Sequence, residues 1–370
     1  MYANKFNILF PIESTGRELE YKCILSSKLA ELGHDCFVGE KSEIYKLIDL
    51  LEPIVYFDKG YHKGISEKIY KNLKKKDAII LNLDEEGAVD YEDNRALLNR
   101  YPEKLLKFVD LLFLWGSGQL EILKKNYSSF DKRKFLVSGH PRFQLLKNHN
   151  NKNLSKESIF INSNFKNYYL ITSNTSLGNN IKGDKFVISN YKDRIKDIKE
   201  IIKTDKIKLN LLIEFAINLA TKTNKQIVFR PHPEENFDIY KNAFIDYKNI
   251  TVNCDFSSIE WIKSCDVLIH PDCTTGVEGA IIGKNVISLL PKIDNKFITS
   301  IPIQMSVQYN SHKKLVEDLI KNKVKYENKD IKNIKEKFFS SDKDSFKIII
   351  DFIKKIIKNR KTKNNFYLNF

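Results

Sequence analysis

Short apolar runs alternate with segments of helical length along most of the chain, and this alternation restricts the possible folds more than any other feature of the sequence. Each run has the length of a strand, and the segments between them carry apolar residues at helical spacing. Strands and helices that alternate in this way form βαβ units, in which right-handed crossovers make the strands parallel and place helices on both faces of the sheet. The sequence therefore predicts an α/β fold of doubly wound, Rossmann-like sheets.

The alternation is interrupted by a polar stretch rich in Asn, Lys and Ser at about 147–166. A chain of 370 residues is long enough for about two domains. We predict an N-terminal Rossmann-like domain at 1–148, a linker at 149–166 and a C-terminal Rossmann-like domain at 167–345. A basic helix and tail at 346–370 is expected to pack back across both. Two such domains would face a central cleft, because open α/β sheets bind ligands at the carboxyl ends of their strands.

The chain carries a formal charge of +15, with 62 Lys and Arg residues against 47 Asp and Glu residues. Such an excess suits an anionic substrate, a nucleic acid or an anionic membrane surface, although a compositional bias toward Lys would also produce it. The sequence contains no zinc finger, RNP motif or basic region with heptads, so nucleic acid is not an expected partner. Peripheral association with an anionic inner membrane leaflet fits the charge, and the oligomeric state is left open.

The sequence predicts neither export nor membrane insertion. No run approaches the ~20 apolar residues of a membrane span, and the N-terminus lacks the long apolar region of a signal peptide. Five cysteines without a CxxC pair favour free thiols in a reducing compartment over a metal site. The D-x-D triplet Asp342–Asp344 lies in a Lys-rich segment of surface character. We therefore expect a cytoplasmic protein that uses no metal ion and no cofactor.

The first candidate binding motif is FRPHPEEN, which ends a predicted strand of the second domain. Pro231 and Pro233 stiffen the turn, so Arg230 and His232 project from a rigid corner. A guanidinium makes bidentate contacts with phosphate or carboxylate, and an imidazole donates to a phosphate oxygen or transfers a proton near neutral pH. The alternative is a surface turn whose prolines only end the strand. We favour a ligand contact.

The second motif, HPDCTTGVEGA, links a predicted strand to a predicted helix. Thr274 and Thr275 are favoured N-cap residues, yet a cap explains only one of them. A helix N-terminus offers free N–H groups and partial positive charge, so both hydroxyls, Gly276 and the preceding His270 fit a bound anion. Glu278, about one turn into the helix, either favours the helix dipole or accepts hydrogen bonds from a ribose. A phosphate beside a ribose indicates a nucleotide.

Other polar residues also follow predicted strands. Ser173 and Asn174 come after YYLIT, where either a turn or a ligand would require them. In the first domain, acids follow two strands and are candidates for a general base, with a solvated acidic loop as the alternative. These acids are Glu18, Glu85 and Glu86. The basic residues assigned to acceptor contact or to the hinge are Arg17, His140 and Arg142.

The chain resembles bacterial surface-carbohydrate biosynthesis proteins in motifs that span most of residues 5–292, namely PIE–RELE, NLDEEG, LLFLWG, SGHPRF, FRPHPEEN and HPDCTTGVEGAIIGKNVISL. Those proteins are similar to GT-B glycosyltransferases of capsule and lipopolysaccharide synthesis that use CMP-activated Kdo or nonulosonate donors. The resemblance implies a GT-B fold, with His232 at the donor phosphate, Thr274 and Thr275 beside it and Glu278 at the ribose. It also implies that an acid of the first domain is the base, without choosing among the three candidates.

The motifs and the resemblance together imply a metal-independent glycosyltransferase that moves an acidic 2-keto sugar from a CMP-activated donor to a surface glycan. The implied sugars are Kdo and nonulosonates such as pseudaminic, legionaminic or sialic acid. Two alternatives keep the fold, namely a CDP-polyol phosphotransferase and a UDP-sugar epimerase. The glycerophosphotransferases usually carry Asp and serines where this chain has His270–Thr275, which weakens the first of these. A non-catalytic module that binds through its basic charge is the third alternative.

Overall fold

The computed structural model describes residues 5–148, 155–192, 195, 197–326, 331–340 and 342–367, with their side chains except at 148 and 361–367. The chain divides into two compact units. Unit 1 contains the described residues of 1–87, 94–148 and 335–370, and unit 2 contains those of 88–93 and 149–334. Each unit has its own sheet and its own hydrophobic core.

Within the described residues the chain forms twelve strands, each parallel to its neighbours. In unit 1 they are β1 (Asn7–Ile12), β2 (Asp35–Glu40), β3 (Ile54–Asp58), β4 (Ile79–Leu83), β5 (Leu111–Leu114) and β6 (Phe135–Val137). In unit 2 they are β7 (Tyr169–Thr172), β8 (Ile227–Arg230), β9 (Ile250–Val252), β10 (Val267–His270), β11 (Asn285–Leu289) and β12 (Val307–Tyr309). The strand orders are β2-β1-β3-β4-β5-β6 and β12-β11-β10-β7-β8-β9, which confirms the predicted pair of doubly wound parallel sheets.

Helices connect the strands and pack on the sheets. In the described part of the chain they are α1 (Glu20–Ala30), α2 (Lys41–Leu50), α3 (Ser66–Lys75), α4 (Arg95–Arg100), α5 (Ser117–Asn126), α6 (Pro141–Asn148), α7 (Lys156–Asn164), α8 (Gly183–Tyr191), α9 (Ile198–Lys222), α10 (Phe237–Ala243), α11 (Ser258–Ser264), α12 (Thr275–Ile281), α13 (Ser300–Gln304), α14 (His312–Ile320), α15 (Ile331–Phe339) and α16 (Ser345–Tyr367). Unit 1 contains α1–α6, most of α15 and all of α16, and unit 2 contains the others.

The central strands are buried on both faces, which explains their uninterrupted apolar sequences. In unit 1, β3, β4 and β5 read IVYFD, IILNL and LLFL, and every residue in them is buried. In unit 2, β7 and β10 read YLIT and VLIH and are also buried throughout. A parallel strand that is covered by helices on both sides has no solvent face, so its sequence does not alternate between apolar and polar residues.

The strand order of each sheet reverses at one point, and that point determines where a ligand is expected to bind. The order reverses between β1 and β3 in unit 1 and between β7 and β10 in unit 2. The connections from such a pair of strands leave toward opposite faces of the sheet, which opens a crevice at the carboxyl ends of the strands. The predicted binding motif after β10 therefore begins at the switch point of unit 2.

The structure differs from the predicted domain organisation in three places. Residues Lys156–Asn164, within the predicted linker, form a helix that packs on α11; the linker residues 149–154 lie outside the described residues. The segment from Lys335 groups with unit 1, where α16 packs on α1 and α6. The edge strand β12 has no counterpart in the prediction, because its short sequence VQY contains no apolar run.

A close backbone contact holds α15 against unit 1. Gly116 precedes α5, and the backbone of Lys337 and Phe338 passes directly over it. A Cβ atom at position 116 would lie 2.2 Å from the Lys337 carbonyl oxygen and 2.6 Å from the Phe338 carbonyl carbon. Non-bonded carbon atoms prefer separations of about 3.5–4.0 Å, and backbone atoms cannot rotate away as a side chain can. The contact therefore requires glycine.

Gly116→Ala should lower the free energy of unfolding of unit 1 by about 1–3 kcal/mol, because the added methyl group overpacks this contact. Urea denaturation monitored by tryptophan fluorescence measures the change, because the adjacent Trp115 is buried in the folded unit and becomes exposed on unfolding. Gly16→Ala is the control, because nothing lies within 4 Å of the Cβ that it adds. Equal midpoints for the two variants would contradict the prediction.

Candidate functional site

Polar side chains from neighbouring strand ends meet at the switch point of unit 2. Strands β10, β7 and β8 lie side by side and end at His270, Thr172 and Arg230. The hydroxyl oxygens of Thr172 and Thr275 lie 2.8 Å apart, so the end of β7 is hydrogen-bonded to the start of α12. The structure therefore brings the predicted donor-binding motifs to one edge of one sheet.

His232 has one ring nitrogen available for a ligand. Its Nδ1 accepts a hydrogen bond from the backbone N–H of Glu234 at 3.3 Å, and its backbone N–H donates to Ser173 Oγ at 3.0 Å. Because Nδ1 is an acceptor, the proton of the neutral ring lies on Nε2. No residue in the described part of the chain pairs with Nε2, and the side chain is only partly buried. His232 is therefore arranged to donate a hydrogen bond to a ligand oxygen.

Glu278 and Thr274 also carry polar atoms that the described residues leave without a side-chain partner. Glu278 is 6% exposed, and no hydrogen bond or ion pair to its carboxylate is found in the described part of the chain. Thr274 is half-buried, and its hydroxyl makes no capping bond to α12. Glu278 is thus a largely buried acid whose carboxylate oxygens stay accessible and have no partner in the described part of the chain, so it is the strongest single indication of a ligand in unit 2.

His270 is occupied by contacts within the protein. It is fully buried, its Nδ1 accepts from the backbone N–H of Cys273 at 3.2 Å, and its Nε2 lies 2.9 Å from Ser306 Oγ. Burial lowers its pKa to about 4, so the ring is neutral at physiological pH. A Cβ on Gly276 would lie 2.1 Å from His270 Nε2. Close packing against this ring, and not the approach of an anion, explains why residue 276 is glycine. Both ring nitrogens of His270 are already paired within the protein, so neither is available to bind the donor substrate.

Ser173 holds the loop after β7 to the loop after β8. Its hydroxyl donates to the Glu235 carboxylate at 2.6 Å and accepts the backbone N–H of His232. The same buried carboxylate accepts from the backbone N–H of Thr175 at 2.7 Å and from the Tyr240 hydroxyl at 2.5 Å. Ser173 therefore positions His232, and its own hydroxyl is already paired.

Arg230, predicted as a phosphate ligand, is also engaged. Its Nη1 and Nη2 donate to the carbonyl oxygens of Asp255 and Phe256 at 2.8 and 2.6 Å. Phe256 adopts a left-handed backbone conformation with φ of 59°, and the guanidinium fixes this turn. Burial lowers the pKa of Arg230, without removing its charge. The side chain holds the loop after β9 and contributes positive charge near the end of β8.

The buried carboxylate of Asp272 joins three segments around the switch point. One of its oxygens accepts from the Lys208 ammonium at 2.8 Å and from the backbone N–H of Thr299 at 3.1 Å. Its other oxygen accepts from the Asn174 side-chain amide at 3.2 Å. Asn174 belongs to the loop after β7, and Lys208 lies in the middle of α9. This ion pair therefore fixes the loop that leads into Thr274, and Asn174 holds that loop in place.

Asp205, almost one turn before Lys208 on α9, extends this network. Its carboxylate accepts from the backbone N–H groups of Leu177 and Gly178 at 3.2 and 3.3 Å and lies 3.8 Å from the Lys208 ammonium. Burial raises the pKa of Asp205 to about 7, despite the nearby ammonium. Burial lowers the pKa of Lys208, but Asp272 and Asp205 outweigh that effect and the net shift is upward. The cluster is thus one cation between two carboxylates.

A second buried ionic cluster lies at the switch point of unit 1. Glu18 is 1% exposed and accepts from the ammonium groups of Lys22 and Lys59 at 2.8 and 3.2 Å. It also accepts from the backbone N–H groups of Glu13 and Ser14 at 3.3 and 3.0 Å. Both carboxylate oxygens are therefore engaged. Glu18 holds the loop after β1 to the end of β3.

Glu85 lies in a buried cluster with Tyr21 and His140. Its carboxylate accepts from the Tyr21 hydroxyl and lies 3.3 Å from His140 Nε2. Burial raises the pKa of Glu85, but the contacts with His140 and Lys22 outweigh it, so the group is ionised. Burial lowers the pKa of His140, and the Glu85 carboxylate opposes that shift. Arg142 lies beside this cluster with two buried nitrogens, Nε and Nη1, unpaired in the described part of the chain; a hinge role for either basic residue stays a prediction.

Glu86 differs from the other two candidate acids because it is only partly buried. Its side chain is 46% exposed, and its carboxylate pairs at 2.8 Å with Arg17, whose side chain is 40% exposed. Glu18 and Glu85 are 1% and 4% exposed. A general base must reach the proton that it removes, so accessibility separates Glu86 from the two buried acids.

The lysines that pair with these buried acids were not predicted from the sequence. Lys208 lies among Leu209 and Leu212 on the buried side of α9, and Lys22 lies on the buried side of α1 beside Leu25. A lysine on the apolar side of an amphipathic helix needs a partner when it is buried. The helical spacing of apolar residues therefore indicates that these lysines are buried, but it does not indicate which acid pairs with each of them.

No group of three or more His, Cys, Asp or Glu side chains is arranged to hold a metal ion among the described residues. Asp342 is exposed and lies 3.6 Å from Lys147, and Asp344 accepts from Gln144. No helix in the described part of the chain is long and apolar enough to cross a membrane.

Solved structures resemble this chain over nearly its whole length, whereas no family model and no curated protein sequence matches it. The wall teichoic acid polymerase TagF, in a variant soaked with CDPG, is 14% identical with a TM-score of 0.60 over 96% of this chain and 89% of that chain. The UDP-GlcNAc 2-epimerase of Methanocaldococcus jannaschii, with UDP-GlcNAc and UDP, is 13% identical with a TM-score of 0.60 over 95% of this chain and 99% of that chain. S. aureus MnaA with UDP is 11% identical with a TM-score of 0.59 over 96% of this chain and 97% of that chain. At these identities the likeness establishes the fold, and the chain has the GT-B-like fold of these proteins.

Asp205→Asn should become more stable relative to the unaltered chain as the pH rises from 5 to 8. The folded pKa of Asp205, about 7, lies above the unfolded value of about 4. Its protonation therefore stabilises the fold fully below about pH 4, and this contribution is lost as the pH rises through 7. Urea midpoints at both pH values measure the difference. Asp246→Asn, at an exposed acid, is the control, and a constant difference for Asp205→Asn would contradict the assignment.

Proposed function

We propose that the chain is a glycosyltransferase that moves an acidic 2-keto sugar from a CMP-activated donor to a surface glycan, without using a metal ion. The proposed sugars are Kdo or a nonulosonate such as pseudaminic, legionaminic or sialic acid. The largely buried Glu278, whose carboxylate has no partner among the described residues, lies at the switch point of unit 2 and is the observation that carries this proposal. We propose a cytoplasmic location, with the basic excess favouring peripheral association with the membrane where surface glycans are assembled.

The donor site of the proposal uses groups that have no partner in the described part of unit 2. Glu278 accepts hydrogen bonds from the ribose hydroxyls. The hydroxyl of Thr274 and the Nε2–H of His232 donate to the phosphate oxygens. Thr275 keeps its bond to Thr172 and orients the start of α12. The roles of His232, Thr274 and Glu278 are those that the family resemblance implies, whereas Thr275 is given a positioning role in place of phosphate contact.

In the proposed reaction, an acceptor hydroxyl attacks the anomeric carbon of the donor sugar while the bond from that carbon to the phosphate oxygen breaks. A carboxylate of unit 1 takes the proton of the hydroxyl, and CMP leaves with the electron pair of the broken bond. Negative charge therefore builds up on the phosphate. The Nε2–H of His232 and the start of α12 stabilise this charge, because both are positioned before the reaction begins. Direct displacement gives inversion at the anomeric carbon.

We assign the role of base to Glu86. Glu18 is saturated with hydrogen-bond donors, and Glu85 is buried and held ionised with a pKa below its usual range, which weakens it as a base. Glu86 has a partly exposed side chain, and its partner Arg17 is also partly exposed. An exposed ion pair contributes only about 0–1 kcal/mol, so an acceptor hydroxyl can displace it.

His232→Ala should weaken CMP binding without unfolding the chain, since Nε2 has no hydrogen-bond partner among the described residues. Thermal-shift titration with CMP, CDP-glycerol and UDP-GlcNAc identifies the donor class. We expect CMP to stabilise the unaltered chain, and the His232→Ala and Glu278→Gln variants to need about tenfold or more CMP for the same shift. The TagF structure soaked with CDPG and the epimerase structures with UDP make the other two ligands the relevant competitors. Stabilisation by UDP-GlcNAc alone, or by CDP-glycerol alone, would replace the proposal by the corresponding alternative.

Glu86→Gln should reduce CMP release from the donor in the presence of acceptor by about 10²–10⁴-fold, while CMP affinity stays unchanged. The amide keeps the shape of the side chain and removes the base. Glu18→Gln is the comparison, because loss of its charge leaves two lysines poorly paired and should lower the melting temperature. Full turnover by Glu86→Gln would exclude Glu86 as the base.

A further inference from the structure

Unit 2 contains a cavity of about 570 Å³ at the carboxyl ends of β11 and β12. Its walls come from the residues after β11, from α13 and from the end of β12, and Glu92 of the short segment 88–93 also lines it. Small-molecule sites commonly have volumes of about 300–1,000 Å³. We call this feature the rim cavity; none of the roles assigned above involves it.

The rim cavity begins one strand away from the proposed phosphate site. Ser288 lines it and pairs in the sheet with His270, the last residue of β10. Neighbouring strands lie about 4.8 Å apart. The Ser288 hydroxyl also donates to the carbonyl oxygen of Pro271 at the start of the loop that leads to Thr274. A donor whose phosphate lies at Thr274 therefore has the cavity within reach of the group attached to that phosphate.

A second wall is fixed to the same loop. Ile298 and Ser300 line the cavity, and between them the backbone N–H of Thr299 donates to the Asp272 carboxylate at 3.1 Å. Ser300 is anchored on the other side by its backbone N–H, which donates to the Asp90 carbonyl oxygen at 3.0 Å. The Asp272 carboxylate, which belongs to the loop that leads to Thr274, therefore also holds one wall of the cavity. This bond fixes the distance between the loop and the cavity.

The lining matches a sugar that carries a negative charge. Tyr309 offers a ring whose hydroxyl is bonded to Asp318 at 3.0 Å, and aromatic rings of this kind pack against the apolar face of a sugar. Lys314 also lines the cavity, and its ammonium is bonded to Asp318 at 2.9 Å. Glu92 accepts from the Asn295 amide at 3.3 Å. The remaining charged side chain in the lining, Lys292, is exposed and has no partner in the described part of the chain.

We propose that the rim cavity binds the acidic sugar of the activated donor, and that the Lys292 ammonium pairs with the sugar carboxylate. The inference rests on the proposed function and adds to it a residue that selects an acidic sugar over a neutral one. A carboxylate at this position gains a charge-assisted hydrogen bond that a neutral sugar cannot make. Lys292 is thereby a specificity-determining residue and takes no part in the proton transfer.

Lys292→Gln tests the proposal, because it removes the charge and keeps a polar side chain of similar length. Titration calorimetry compares CMP with CMP-Kdo and with CMP-activated sialic, legionaminic and pseudaminic acids. The tightest of these donors is then measured again as its methyl ester. We expect the variant to bind CMP and the ester as the unaltered chain does, and to bind the acidic donor about five- to tenfold more weakly. Lys321→Gln, at an exposed lysine outside the cavity, should change none of these affinities.

The outcomes separate this inference from the proposed function. If the unaltered chain binds neither CMP nor any of the CMP-sugars, both the proposed function and the inference fail. If it binds them and Lys292→Gln binds the acidic donor equally well, only the inference fails. An equal loss of affinity for CMP, the acid and the ester would also overturn it, because the effect would then not depend on the carboxylate.

Discussion

The geometry of unit 2 at its switch point depends on the buried ion pair between Lys208 and Asp272. The carboxylate joins the loop after β7, the loop after β10 and the segment before α13, while the ammonium anchors all three to the longest helix of the unit. An ion pair of this kind adds little net stability, since its attraction mainly offsets the cost of removing both charges from water. Its effect is to allow one loop arrangement, because any other leaves a charge buried and unpaired.

Unit 1 also has a buried ionic cluster at its own switch point. Glu18 accepts from two buried lysines and from two backbone N–H groups, and so fixes the loop after β1. In both units, therefore, a deeply buried acid at the carboxyl edge is a structural group. A buried acid near a strand end is a candidate for chemistry only if its hydrogen-bonding capacity has not already been used by the fold, and Glu278 meets that condition where Glu18 and Asp272 do not.

The sequence predicted the alternation of strands and helices along the chain and placed the motifs at strand ends, because parallel strands buried on both faces produce apolar runs that need no tertiary information. It did not predict the role of each polar residue. Ser173, Arg230 and His270 belong to the motifs as expected, yet their side chains are paired with the carboxylate of Glu235, with loop carbonyls and with Ser306. These partners are distant in sequence, and hydrophobic spacing carries no information about them. Strand β12 was missed for a similar reason. Its three residues form a strand because they pair with the edge of β11, and their sequence VQY does not reveal that pairing.

The groups that unit 2 leaves unpaired restrict the ligand more closely than the motifs do. His232 Nε2, the Thr274 hydroxyl and the Lys292 ammonium are donors, which suits anionic oxygens. Glu278 is an acceptor and carries negative charge, so it would repel a bare phosphate or a polyphosphate nearby. A ligand that satisfies both kinds of group must present anionic oxygens and hydroxyl groups to one sheet edge. A nucleotide joined to an acidic sugar has that composition, because its phosphate and carboxylate supply the anionic oxygens and its ribose supplies the hydroxyls.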